Sequence, residues 1–145
     1  MNNKVKFEFA AISENTALAR VVVAAFITPL DPTVGEISDI KTAVSEAVTN
    51  AIIHGYGENS QSVNDTVVTI ALQNELRTIF IEVSDKGVGI ENIESAREPL
   101  FTTKPEMERS GLGFTVMESF MDTVEVISRP NEGTTIKMVK KLAGE

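Results

Sequence analysis

The sequence contains no cysteine, a single histidine and no long apolar run. Without cysteine there are no disulfides and no thiolate metal sites, a composition that fits a reducing compartment. No stretch approaches the roughly 20 apolar residues that span a bilayer. The opening residues Met1 to Phe9 carry two lysines but no apolar core of the signal-peptide type, so a cytoplasmic location without membrane attachment is expected. Cations are scarce too: 13 lysines and arginines against 21 aspartates and glutamates give a net charge of −8. Duplex DNA is gripped by clustered cations that neutralise phosphates, and here they are dispersed, so direct nucleic-acid binding is not expected. If the chain acts on transcription, it should do so through a protein. Two phosphate-binding signatures are also missing. There is no Gly-x-x-x-x-Gly-Lys-Ser/Thr loop, and neither glycine pair extends to the third glycine of a dinucleotide fingerprint.

What is present is an ordinary globular mixture, 42% hydrophobic and 23% charged over 145 residues, consistent with one domain over residues 1–145. Val5, Phe7 and Phe9 alternate with Lys6 and Glu8 and predict a half-buried strand. Ser13 stands as N-cap to a helix over Glu14–Ile27, which Pro29 and Pro32 end. Thr33 and Glu36 have capping-box spacing, so a second helix should start there and run to about His54, with Gly55 as its breaker. The polar run Glu58–Asp65 reads as a loop. Strands follow around Val67–Leu72 and Thr78–Ser84, with a tight turn near Asn74-Glu75. Glycines, prolines and charges fill Lys86–Ser110, a stretch long enough to suggest a functional lid or a disordered segment. Gly113–Met121 reads as a helix, and Val124–Ser128 with Thr134–Lys140 as a hairpin around Pro130–Gly133. The expected fold is an α/β (α+β) two-layer sandwich, a mainly antiparallel sheet covered on one face by helices.

The second helix carries the most chemistry. Ile37, Ile40, Val44, Val48 and Ala51 form an apolar stripe, while Glu46, Asn50 and His54 stack at four-residue spacing on the opposite side. Taken alone, such a polar row is commonly a solvated face. Ile53 interrupts it, however, and the row offers a carboxylate, an amide and an imidazole, a suitable set for a hard cation and a general base. Asp85-Lys86-Gly87-Val88-Gly89 follows an apolar strand. It reads either as a plain turn or as an acidic acceptor for an exocyclic amine, with glycines that let the backbone pass a flat base. Gly111 and Gly113 open the third helix, where they form either a flexible turn or a set of exposed N–H groups facing an anion.

The order of these elements is more specific than any one of them. Glu46-x-x-x-Asn50-Ala51, Asp85-x-Gly87-x-Gly89, Gly111-x-Gly113 and Gly133-Thr134-Thr135 together resemble the ATP site of the GHKL (Bergerat-fold) superfamily, which includes gyrase and the histidine kinases. Residues Ser45–Tyr56 and Pro99–Glu106 look like stretches of its anti-sigma factor serine kinases, the sporulation type above all. The likeness runs from Phe7 to about Lys140. It implies an anti-sigma factor and serine/threonine protein kinase using ATP and Mg²⁺. Asn50 would ligate the metal and Glu46 would be the general base. Asp85 would accept from the adenine amine, with Thr134 completing the pocket and Gly87, Gly89, Gly111 and Gly113 allowing close approach. Residues 93–110 would form the ATP lid, bringing Thr102, Thr103, Lys104, Arg109 and Ser110 towards the phosphates. His54 would either touch the nucleotide or cap the helix. Arg20 would lie on the surface that meets both a sporulation sigma factor and an anti-anti-sigma factor, the phosphorylated substrate, in a homodimer; an isolated arginine is equally a plain surface charge. A stress-response paralogue and a non-catalytic nucleotide-dependent binding module are the alternatives. A histidine-kinase domain would need a phosphoacceptor histidine on a separate helix, and the one histidine here, His54, lies within the site helix.

Overall fold

A computed structural model describes residues 2–56, 66–89 and 113–144. The elements run β1 (Lys4–Ala10), α1 (Glu14–Ile27), a short 3₁₀ turn (Thr28–Leu30), α2 (Val34–Asn50), a π-helical turn (Ala51–Tyr56), β2 (Val67–Glu75), β3 (Thr78–Asp85), α3 (Gly113–Phe120), β4 (Thr123–Arg129) and β5 (Gly133–Lys141). The five strands form one antiparallel sheet in the order β1-β2-β3-β5-β4. The last strand is therefore an inner one.

Strand alternation builds the core. Val68, Ile70 and Leu72 on β2, Ile79, Ile81 and Val83 on β3, and Ile136 and Met138 on β5 are buried on one sheet face. The helices cover that face: α1 contributes Ala19, Val23, Phe26 and Ile27, and α2 contributes Ile40, Ala43, Val44, Ala47 and Val48. Phe114 and Met117 of α3 complete the cluster. The opposite face stays partly open, with Glu82 and Lys137 opposed across β3 and β5 at 3.5 Å. The two-layer sandwich expected from the sequence is the fold found.

α1 and the capping box fall where the sequence places them. Thr33 Oγ1 accepts from Glu36 N–H at 3.0 Å, and Glu36 Oε1 accepts from Thr33 N–H at 2.8 Å. The second Glu36 oxygen accepts from Ala143 N–H at 2.7 Å, tying the start of α2 to the segment after β5. These backbone donors hold the Glu36 carboxyl below its usual range.

Three local expectations need correction. Ser13 makes no side-chain cap, because its own φ and ψ are already helical and an N-cap hydroxyl needs extended backbone to reach the first turn. Gly55 does not end α2 in a left-handed cap; the helix widens into the π turn and continues to Tyr56. Ile37 keeps its place in the predicted stripe: it is half-buried, packs against the core and also lines a groove. The β2–β3 turn sits at Leu76-Arg77, with Leu76 at φ 54°. Asn74 is buried instead, its amide taking Asn3 N–H at 2.7 Å and giving to Leu76 C=O at 2.9 Å.

Candidate nucleotide site

The site grows from the end of α2. Its Glu46 and Asn50 face α3, the helix packed alongside. At the first residue of α3, a Cβ added to Gly113 would stand 3.3 Å from Asn50 Nδ2 and 3.4 Å from Glu46 Oε2. The sequence-predicted carboxylate, amide and helix-opening glycine therefore meet at one spot, with the N-terminus of a helix beside them. Asn50 Nδ2 is buried and has no hydrogen-bond partner among the described residues. A buried amide left unpaired is costly, and native structures seldom tolerate one without a purpose.

The π turn carries the chain from this spot to the second cluster. Gly55 lies flat against Asp85: a Cβ on it would fall 2.8 Å from the carboxyl carbon and from Oδ1. Val88 N–H donates to Gly55 C=O at 2.8 Å, which seats the glycine loop on the helix end. Gly87 and Gly89 do admit close backbone approach, but to protein. A side chain on Gly87 would overlap the Gly55 carbonyl, and one on Gly89, at φ 75°, the Arg129 carbonyl. Asp85 ends β3 and pairs with Thr134 on β5. Its Oδ1 accepts from Gly87 N–H at 2.8 Å. Burial pushes the Asp85 carboxyl up to about 6, against the opposing pull of the Gly87 and Thr134 backbone donors. Thr134 is buried, and its hydroxyl lies 2.7 Å from Ser128 Oγ; the neighbouring pair Ser84 and Thr135 is linked at 3.1 Å.

His54 is half-buried within the π turn, where the wider winding breaks its one-turn spacing from Asn50. Thr102, Thr103, Lys104, Arg109, Ser110 and Gly111, with the expected lid 93–110, lie outside the described residues. Arg20 lies outside both clusters. It sits on α1 over a groove of about 460 Å³ lined also by Val34, Ile37, Ser38, Lys41, Thr42 and Ser45. Its guanidinium donates to Ser45 Oγ at 3.1 Å, and that hydroxyl donates to Lys41 C=O at 2.9 Å.

Sequence reasoning passes over Tyr56 as a separate residue. Its hydroxyl donates to Val67 C=O and accepts from Lys86 N–H, each at 2.7 Å. The available signal is its place, directly after the Glu46–His54 row. Nothing in the spacing announces the partner strands.

The chain matches the family model described as the histidine kinase-like ATPase domain over residues 9–140. It is 59% identical over 142 residues to a Clostridium perfringens protein called anti-sigma F factor, covering 98% of this chain and 99% of that one. Proteins of the same name from Anoxybacillus flavithermus and Bacillus subtilis are 56% and 53% identical, over 98% and 99% of this chain and 94% and 95% of theirs. Among solved structures, the RsbU and RsbW domains of a Mycobacterium tuberculosis protein superpose with a TM-score of 0.67 at 20% identity, over 99% of this chain and 33% of that one. The catalytic domain of the histidine kinase ThkA gives 0.58 at 19% identity, over 97% and 96% of the two chains. With relatives more than half identical along nearly their whole length and a domain model spanning most of its residues, the chain belongs to the anti-sigma F factors, a family built on the histidine kinase-like ATPase domain.

Proposed function

We propose that this chain binds ATP with Mg²⁺, phosphorylates a serine of an anti-anti-sigma factor, and as a homodimer holds a sporulation sigma factor out of transcription. The observation that carries the catalytic part is the meeting of Glu46, Asn50 and Gly113 around an unpartnered buried amide. Asn50 suits a site shared with phosphates. Its Nδ2 has no partner among the described residues, and the same amide turned by half a rotation presents its oxygen to a hard cation. Mg²⁺ so held would supply charge neutralisation across the β- and γ-phosphates. Such a cation needs few protein ligands when phosphates and water complete its shell.

Asp85 fits the base end. It is an acidic acceptor in a half-buried niche, with one oxygen engaged by Gly87 and Thr134 beside it. Glu46, beside Asn50, is the group to take the proton of the incoming serine hydroxyl. As that proton leaves, the serine oxygen bonds to the γ-phosphorus and the bond to the departing ADP oxygen breaks. Lys104 and Arg109 are cations suited to the charge that develops. The partner surface is the Arg20 groove, where a forked cationic donor and Lys41 stand out on a chain of net charge −8.

The test is incubation with γ-labelled ATP, Mg²⁺ and an anti-anti-sigma factor, followed by mapping of the labelled residue. Label on a serine of the partner is the expected result. Release of inorganic phosphate with no labelled protein would make the chain a hydrolase and defeat the kinase reading.

A further inference from the structure

The junction between the end of α2 and the glycine loop is bridged by one side chain outside the expected site. Tyr56 closes the π turn, and its ring is half-buried. Its hydroxyl has both roles filled: it donates to Val67 C=O and accepts from Lys86 N–H, each at 2.7 Å. Val67 opens β2, and Lys86 directly follows Asp85, the last residue of β3. A half-buried phenol commonly finds one protein partner. This one clamps main-chain groups from two other segments.

The clamp acts on a peptide that matters for direction. Asp85 is bounded on one side by Gly55 and held through Oδ1 by Gly87 N–H at 2.8 Å. The peptide between Asp85 and that anchor is the one whose Lys86 N–H the phenol holds. Hydrogen bonds lose strength quickly as donor and acceptor swing out of line. A small rotation at residues 85–87 would therefore spoil how the carboxylate meets a base amine, and would leave the phosphate end at Asn50 and Gly113 untouched.

We propose that Tyr56 is a positioning residue for base recognition: by fixing the peptide after Asp85, its hydroxyl sets the line along which that carboxylate meets the exocyclic amine of adenine. The proposal rests on the reading of Asp85 as the adenine acceptor. It gives Tyr56 a role in selectivity between purines, separate from phosphate binding and from phosphoryl transfer.

Binding of ATP and of purine riboside triphosphate, which lacks the amine, to the wild-type chain and to Tyr56→Phe separates the possibilities. Loss of an aligned hydrogen bond should weaken ATP by about two- to tenfold, with the amine-free analogue nearly unchanged, so the preference for ATP narrows. Equal losses for both nucleotides would mean a merely structural tyrosine and overturn the proposal, as would no loss for either. A wild-type chain with no preference for ATP would overturn the adenine reading of Asp85 itself, and the proposal with it. A second measurement does not depend on the variant folding. Tyr56 is the only tyrosine in the chain, so biosynthetic fluorotyrosine places one ¹⁹F label at this ring. ATP should shift that signal more than the amine-free analogue does; identical shifts would count against the clamp.

Discussion

At the scale of single residues, Glu46 and Asn50 sit one helical turn apart beside Gly113, yet their proposed tasks differ. A positioned base contributes about 10²–10⁴-fold to rate. Glu46→Gln should therefore keep nucleotide affinity and slow phosphotransfer by that order, while Asn50→Ala should also weaken Mg²⁺-dependent binding. Single-turnover rates beside equilibrium binding would distinguish them, and a normal rate in Glu46→Gln would remove Glu46 from the chemistry. Asp85 gives a pH signature. Its carboxyl is raised from 3.8 to about 6, so the folded state prefers it protonated. That contribution to stability is complete below the unfolded value and is lost as pH rises through about 6. Nucleotide binding runs the other way: an amine donates best to the ionised carboxylate, so ATP affinity should climb as pH rises through about 6 and then level off. Calorimetric titration from about pH 5 to about pH 7.5 checks this, and Asp85→Asn should flatten the profile. Glu46, Asn50 and Asp85 were legible because each stands in a pattern of spacing. Tyr56 was not, because its meaning lies in Val67 and Lys86, which only folding brings to it.

At the scale of elements, α2 shows what local rules can and cannot foresee. The Thr33–Glu36 capping box is a short-range contract between side chain and backbone, so four residues suffice to read it. Thr33→Ala removes one of its hydrogen bonds and should cost about 1 kcal/mol, seen as a lower urea midpoint with little change in nucleotide affinity. The other end of the helix escaped the same kind of reading. A glycine after a helical stripe usually marks a left-handed cap, but Gly55 is needed for what it lacks, since the Asp85 carboxyl occupies the space of a side chain. The winding changes to a π turn at the same place, a feature frequent at functional sites. Ser13 shows the converse failure. The residue type is right for a cap, but its backbone is already helical and its side chain makes no cap hydrogen bond.

At the scale of the whole molecule, the layered architecture followed from alternation in the strands and from the apolar faces of the helices, with Ile37 packed at the edge of the core. Its outer side shares a groove with Arg20. Arg20→Glu would reverse the one arginine there and should weaken the complex with sigma factor, anti-anti-sigma factor or both. ATP affinity should hardly change, because the groove shares no residue with the Glu46 or Asp85 clusters. Pull-downs with ATP, titrated with phosphorylated and unphosphorylated anti-anti-sigma factor, would measure it. Phosphate adds about −1.5 to −2 charges at pH 7, and against an acidic chain the phosphorylated form should displace sigma factor poorly. Equal displacement by both forms would defeat that switch.

The strand order has a consequence for how the molecule comes into being. β5 is the last strand in sequence, yet it lies between β3 and β4. During synthesis β1, β2 and β3 can zip together early, but β3 then waits with an open edge carrying Ile79, Ile81 and Val83. Pairings between distant parts of a chain are the slow ones to form, and an unpaired apolar edge invites the wrong partner meanwhile. The same late event finishes the niche around Asp85, whose neighbour Thr134 arrives on β5. Completion of the sheet and completion of the Asp85 niche, the proposed base end of the site, are thus one step. Nucleotide present in the cell would act as a check on finished molecules, favouring by mass action those that have closed the sheet.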